Sequence, residues 1–75
     1  MYEQVLNVLS EEFPEIDFTS SEELVDDGTL DSLTVTGIIG ALSLEFGIMI
    51  PYEEITPENF NSVAAIADMV ARLKK

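Results

Sequence analysis

Hydrophobic residues recur at helical spacing in three stretches of the chain. The first stripe predicts a helix over residues 2–12, which Pro14 should end because proline disfavours helical geometry in the residue before it. The second predicts a helix from about Ser32 to Phe46 with Gly47 as its C-cap, and the third predicts a last helix near the C-terminus. The three stripes are Val5, Leu6, Leu9 and Phe13; Val35, Ile38, Ile39, Leu42 and Phe46; and Val63, Ile66, Ala67, Val70 and Leu73.

A long acidic loop is predicted between the first two helices, over residues 15–30. Thr19, Ser20 and Ser21 ahead of Glu22 and Glu23 suggest the start of one short helical turn within this loop. Gly28 should supply a backbone angle that other residues resist. A loop of this length in so short a chain is usually functional or packed through its own apolar residues. We expect four of them to contact the core: Ile16, Phe18, Leu24 and Val25.

The segment after the second helix predicts an extended connector and one short helix. Residues 48–51 have a strand-like composition but no evident partner strand, so Ile48 and Ile50 should point inward from a connector. Residues 52–55 are predicted to form a loop or a single turn. Thr56 followed by a proline predicts a short helix, and Asn61 or Ser62 should cap the last helix. The fold class is therefore all-α, a small four-helix bundle with three main helices and one short helix before the last, in a single domain 1–75.

The composition narrows the function classes. The net charge is −12, and ten of the fifteen acids lie between Glu3 and Asp31, whereas Arg72, Lys74 and Lys75 close the chain. Such a surface repels phosphate backbones and anionic lipid, so we expect no nucleic acid partner and no membrane insertion. The absence of an apolar run of spanning length and of a leader predicts a cytoplasmic protein, with a monomer as the default.

No residue set indicates catalysis by the chain itself. Cysteine and histidine are absent, which removes thiolate metal sites and the usual general base. A nucleophilic Ser32 would need a base, and both lysines are terminal. The adjacent acids, Asp26 with Asp27 and Glu53 with Glu54, are typical of a solvated surface, and the spacing from Asp26 to Asp31 does not match a calcium loop. We therefore predict no metal site and no enzyme.

The second helix has a second face of interest, opposite its core stripe. At about 100° per residue, Leu33, Gly37, Gly40 and Leu44 cluster there, with Ala41 beside them. Each mid-helix glycine costs roughly 1 kcal/mol relative to alanine. We predict that the glycines leave a shallow docking surface for partner enzymes. The alternative is that another part of the chain covers this stripe.

Ser32 stands where the second helix begins. A phosphodiester on its hydroxyl would meet the positive end of the helix dipole, whereas the plain alternative is that Ser32 is an ordinary N-cap. Residues 24–33, the stretch 42–51 and residues 59–63 together make a longer pattern, and that pattern resembles the acyl carrier protein family.

The resemblance implies that Ser32 carries 4′-phosphopantetheine from coenzyme A, attached by a separate phosphopantetheinyl transferase. The thiol of this group would hold cargo as a thioester. Asp31 would help the transferase hold magnesium and orient the serine, and Leu33 completes the attachment motif. The implied partners are this transferase, a loading ligase or acyltransferase, and downstream biosynthetic enzymes, with the chain a non-catalytic carrier.

The chain departs from the fatty-acid carriers of this family, which typically line their second helix with acids. Here the corresponding positions are Thr34, Gly37, Ser43 and Leu44, and the acids lie in the loop before the serine. The run Asp-Gly-Thr-Leu-Asp-Ser is more similar to stand-alone D-alanyl and peptidyl-type carriers. It favours an amino acid or a specialised acyl group as cargo. The rival hypothesis is an acidic helical adaptor that binds protein and has no prosthetic group.

Overall fold

The structure, a computed structural model, describes residues 1–74, so Lys75 of the basic C-terminus lies outside the described residues. Its elements are α1 (Tyr2–Glu12), α2 (Ser32–Phe46), a single 3-10 turn (Tyr52–Glu54), α3 (Pro57–Phe60) and α4 (Val63–Leu73). Helix α1 packs against both α2 and α4, and α3 packs against α4. The described chain contains no strand, and the all-α prediction of three main helices and one short helix is confirmed.

The helix ends follow the local sequence signals. Phe13, the C-cap of α1, has φ −133° and ψ 69°, a non-helical conformation suited to the residue before a proline. Gly47 ends α2 in the left-handed region at φ 64°, as predicted. Thr56 caps α3 by accepting a 3.3 Å hydrogen bond from the Asn59 N–H. Of the two candidates for the cap of α4, Ser62 is the cap.

The core is built from the predicted stripes and from the long loop. The loop contributes Phe18, Leu24 and Leu30 as buried residues, while Ile16 and Val25 are half-buried, so the prediction that the loop packs onto the core is confirmed. In the connector Ile50 is buried and Ile48 is partly buried, whereas the intervening Met49 is 86% exposed. Phe60 and Met69 are also fully buried, although neither belongs to a predicted stripe. The other fully buried side chains of the helices are Val5, Leu9, Ile38, Leu42, Ile66 and Val70.

A single helical turn begins at Glu23, where the Asp27 N–H donates to the Glu23 carbonyl at 2.7 Å, but residues 19–23 themselves form no helix. Side-chain oxygens bind the backbone there instead: Asp17 Oδ1 accepts from the Thr19 N–H at 3.1 Å, and Ser21 Oγ accepts from the Glu23 N–H at 2.9 Å. These short-range bonds satisfy the backbone in turns, in competition with a helix. Gly28 adopts φ 86°, the positive angle predicted for it.

No helix within residues 1–74 combines the length and the hydrophobicity that crossing a bilayer requires.

Candidate functional site

Ser32 occupies the first position inside α2, and its hydroxyl is free of the capping role. The N-cap is Asp31, whose Oδ1 accepts a 2.8 Å hydrogen bond from the Thr34 N–H. The Thr36 hydroxyl donates to the backbone carbonyl of Ser32 at 2.9 Å, and the side chain of Ser32 takes part in neither bond. Ser32 is exposed. The interpretation of Ser32 as an ordinary N-cap is therefore wrong.

Two ionised carboxylates, Asp27 and Asp31, lie in the stretch of chain that leads to this serine. The backbone N–H and then the hydroxyl of Thr34 hold the pKa of Asp31 below its ordinary value. The hydroxyl and backbone N–H of Thr29 do the same for the pKa of Asp27. Hydrogen bonds to the charged form favour that form, so both residues carry full negative charge at neutral pH. Within residues 1–74 no three acidic side chains converge into a metal site.

An open apolar groove of about 490 Å³ begins beside Ser32 and runs between α2 and the segment around α3. Val35 and Ile39, predicted as core residues, are only half-buried because they form one wall of this groove. Periodicity alone did not predict the groove, since it depends on how α3 sits against α2. The other apolar lining residues are Val25, Leu30, Ile55, Pro57 and Phe60; Asp31, Thr36 and Thr56 add polar groups.

A charged cluster holds the far wall of the groove to α4. Arg72 binds Glu54 through two hydrogen bonds of 3.0 and 3.2 Å. The Asn59 side-chain amide donates to the Glu54 backbone carbonyl at 2.7 Å and to its Oε1 at 3.0 Å. Arg72 lowers the pKa of Glu54, and Glu54 in turn raises the pKa of Arg72. The segment 52–59 is thereby tied to the last helix.

Asn61 ties the long loop to the junction of α3 and α4. Its carbonyl accepts from the Leu24 N–H at 2.8 Å, and its Oδ1 accepts from the N–H groups of Val25 and Asp26 at 2.9 and 3.1 Å. Its Nδ2 donates to Asp26 Oδ2 at 3.1 Å. The sequence offered Asn61 only as a possible helix cap. The partners of its side chain lie 35 and 36 residues away, and no local pattern identifies such contacts.

The predicted docking stripe on α2 divides in two. Leu33 and Leu44 are 84% and 89% exposed, and a Cβ added at Gly40 would meet nothing within 4 Å. A Cβ at Gly37, by contrast, would lie 2.8 Å from the Phe13 ring. Gly37 therefore makes room for this chain's own phenylalanine. Ala41, at the edge of the stripe, is half-buried.

Helix α2 presents an exposed serine at its N-terminus, beside an apolar groove. This arrangement suits a carrier for a covalently attached group. Residues 3–70 match the family model described as the phosphopantetheine attachment site, and the chain belongs to that family. No solved structure matches the chain at a significant level.

Two curated relatives illustrate the family. The chain is 38% identical over 66 residues to aminoacyl carrier protein 1 of Bradyrhizobium diazoefficiens, covering 88% of this chain and 72% of that protein. It is 33% identical over 72 residues to the D-alanyl carrier protein of Streptococcus suis, covering 95% of this chain and 91% of that protein.

The chain is therefore a phosphopantetheine-bearing carrier of acyl or aminoacyl groups, and the adaptor hypothesis is not favoured. Members of this family are generally non-catalytic and interact with biosynthetic enzymes. The site fits the group, because the exposed hydroxyl leaves room for a phosphodiester and the groove beside it can receive an apolar portion.

Proposed function

We propose that Ser32 is the attachment residue and that a separate transferase installs the group from coenzyme A. One observation carries this proposal: Asp31 provides the cap of α2, which leaves the exposed Ser32 hydroxyl available beside the groove. The first-turn N–H groups of the helix would face the new phosphodiester and favour its negative charge.

The attachment step requires little from the chain beyond presentation of the serine. Ser32 Oγ bonds to the phosphorus that bears pantetheine in coenzyme A, while the bond from this phosphorus to the bridging pyrophosphate oxygen breaks. Adenosine 3′,5′-bisphosphate leaves, and the serine proton passes to a base of the transferase. Asp31 is ionised and immediately precedes Ser32, and it would help to coordinate a magnesium ion that the transferase brings.

The attached group supplies a thiol that holds cargo as a thioester, and the cargo we propose is an amino acid or a specialised small acyl group. Two observations support this choice. The similar proteins are named aminoacyl and D-alanyl carrier proteins. In addition, Glu45 is the only acid on α2, whereas the loop before Ser32 is acidic. A loading ligase or acyltransferase and downstream biosynthetic enzymes would be the further partners.

Partner enzymes dock, we propose, on the exposed side of α2. Leu33 and Leu44 provide an apolar patch at either end of the stripe, and Gly40 between them leaves the backbone approachable. The neighbouring Gly37 and Ala41 border this patch. The acidic loop would speed encounter with a basic enzyme surface while the small patch keeps the affinity modest, which suits a carrier that must leave again.

The attachment proposal is tested by incubating the purified chain with coenzyme A and a broad-specificity transferase, and measuring intact mass. We expect the phosphopantetheine increment in the wild type and in Ser43→Ala, a matched control on the same helix, and its loss in Ser32→Ala. An unmodified wild type beside a modified control carrier contradicts the proposal. An increment that persists in Ser32→Ala assigns the attachment elsewhere.

The docking proposal is tested with Gly40→Arg, which places a long charged side chain in the middle of the exposed stripe. We expect a lower kcat/KM for loading by the partner ligase and an unchanged circular dichroism spectrum. Ala64→Arg, an equal change of charge at an exposed position on α4, is the control and should load normally. Normal loading of Gly40→Arg would refute docking on this face.

A further inference from the structure

We infer that Asn61 is a positioning residue for the modification of Ser32: it holds the attachment loop in the conformation that the transferase recognises. This inference depends on the proposed attachment at Ser32. Asn61 does not touch the serine, and its effect is transmitted through the loop that leads to it.

Four hydrogen bonds of Asn61 hold the loop and together form a clamp on it. Three consecutive backbone N–H groups, those of Leu24, Val25 and Asp26, all donate to one residue, the first to its backbone carbonyl and the other two to Oδ1. The amide Nδ2 then donates to Asp26 Oδ2. An asparagine side chain has one acceptor oxygen and one donor nitrogen, and both are used here. The clamp therefore fixes both the position and the direction of the loop.

The clamped segment is directly connected to the attachment residue. The Leu30 N–H donates to the Leu24 carbonyl at 2.9 Å, which closes residues 24–30 into a ring. Leu30 is 3% exposed and immediately precedes Asp31 and Ser32. Val25 and Leu30 also line the groove beside the serine. Release of the clamp would thus change the approach to Ser32 without removing any buried side chain from the core.

Asn61→Asp is the informative substitution. An aspartate keeps the acceptor for Val25 and Asp26 but loses the donor, and it sets a second carboxylate against Asp26. In the double variant Asp26→Asn/Asn61→Asp, the donor and acceptor are exchanged between the two positions, so the clamp can form again with the net charge of the wild type. Asn7→Asp, on the exposed side of α1, matches the added charge without touching the loop.

The experiment measures kcat and KM of phosphopantetheine transfer by intact mass for wild type, Asn7→Asp, Asn61→Asp and the double variant. A released loop lowers the fraction of recognition-competent carrier, so we expect KM for Asn61→Asp to rise roughly tenfold with kcat little changed. The double variant should recover most of this loss, and Asn7→Asp should resemble the wild type. In parallel, hydrogen exchange of the Val25 and Asp26 amides should accelerate in Asn61→Asp alone, while the amides of α1 and α4 stay protected.

Two results would overturn the positioning role. One is a KM for Asn61→Asp equal to that of Asn7→Asp. The other is a loss in Asn61→Asp accompanied by fast exchange throughout the helices and no recovery in the double variant, which would indicate general destabilisation. Failure of the proposed function is distinguishable from both, because the wild type itself would then remain unmodified beside a control carrier.

Discussion

The two glycines of α2 make a stringent test of the packing, because alanine is expected to stabilise the fold at Gly40 and not at Gly37. Gly40 lies in the middle of a 15-residue helix, and a Cβ there would meet no atom within 4 Å. The methyl group would neither clash nor become buried. Gly40→Ala should therefore gain the full helix-propensity difference, about 1 kcal/mol.

Gly37 differs from Gly40 in that the ring of Phe13 lies beside it. A methyl group there would lie 2.8 Å from the Phe13 Cζ atom, about 1 Å inside the usual optimum for two carbons. Phe13 is half-buried and in edge contact with Phe18 at 6.5 Å between ring centroids, so moving it loosens a second contact. Overpacking costs roughly 1–3 kcal/mol. At the lower end of that range it cancels the propensity gain, and Gly37→Ala should be no more stable than the wild type.

Thermal and urea unfolding followed by circular dichroism measure the difference. A gain of about 1 kcal/mol raises Tm by about 4–8 °C in a domain of this size. Gly40→Ala should show this rise, and Gly37→Ala should show none. Phe13→Leu, which shortens the obstructing side chain, should restore the benefit of alanine at position 37. Equal stabilisation by both alanines would refute the contact between Phe13 and Gly37.

Three further predictions concern the cap, the charged cluster and the core. Asp31→Ala should lower Tm at pH 7 by removing the cap of α2. Because the pKa of Asp31 lies below its ordinary value of 3.8, the stabilisation by its carboxylate is present above pH 3.8 and is lost as the pH falls below that value. The Tm values of the variant and the wild type should therefore converge in acid. Arg72→Gln should leave Tm nearly unchanged because the ion pair is exposed, while the pKa of Glu54 measured by NMR titration rises toward 4.5. Phe60→Ala should cost about 3–5 kcal/mol, enough to unfold most of so small a domain, as its circular dichroism spectrum would show.

The bounds of the helices could be predicted from the sequence because the residues that begin and end a helix act locally. Pro14, Gly47 and Thr56 each act on the backbone of their own or an adjacent residue, and the predicted bounds of α1 and α2 agree with the structure. The capping role of Asp31 was equally local, since its bond reaches Thr34 three residues later. An aspartate three residues before Thr34 is an ordinary N-cap signal, and it identifies Asp31 rather than Ser32 as the cap.

The features that the sequence did not reveal all depend on residues far apart in the chain. Phe13 reaches Gly37 only because α1 packs on α2, so a helical wheel of α2 alone showed two equivalent glycines. The same holds for the groove, whose walls come from α2 and from residues 55–60. The periodicity of a sequence predicts which face of a helix is apolar, but it does not predict which other part of the chain covers that face.

The contrast between the two glycines also bears on function. Gly37 has a structural explanation in Phe13, and its cost to helix stability is offset by packing within the chain. Gly40 has no such explanation among residues 1–74, because nothing in that part of the chain approaches it within 4 Å. A cost of about 1 kcal/mol without an intramolecular return is understandable if another protein needs the space. Gly40 and the exposed Leu33 and Leu44 therefore support docking on α2, whereas Gly37 by itself does not.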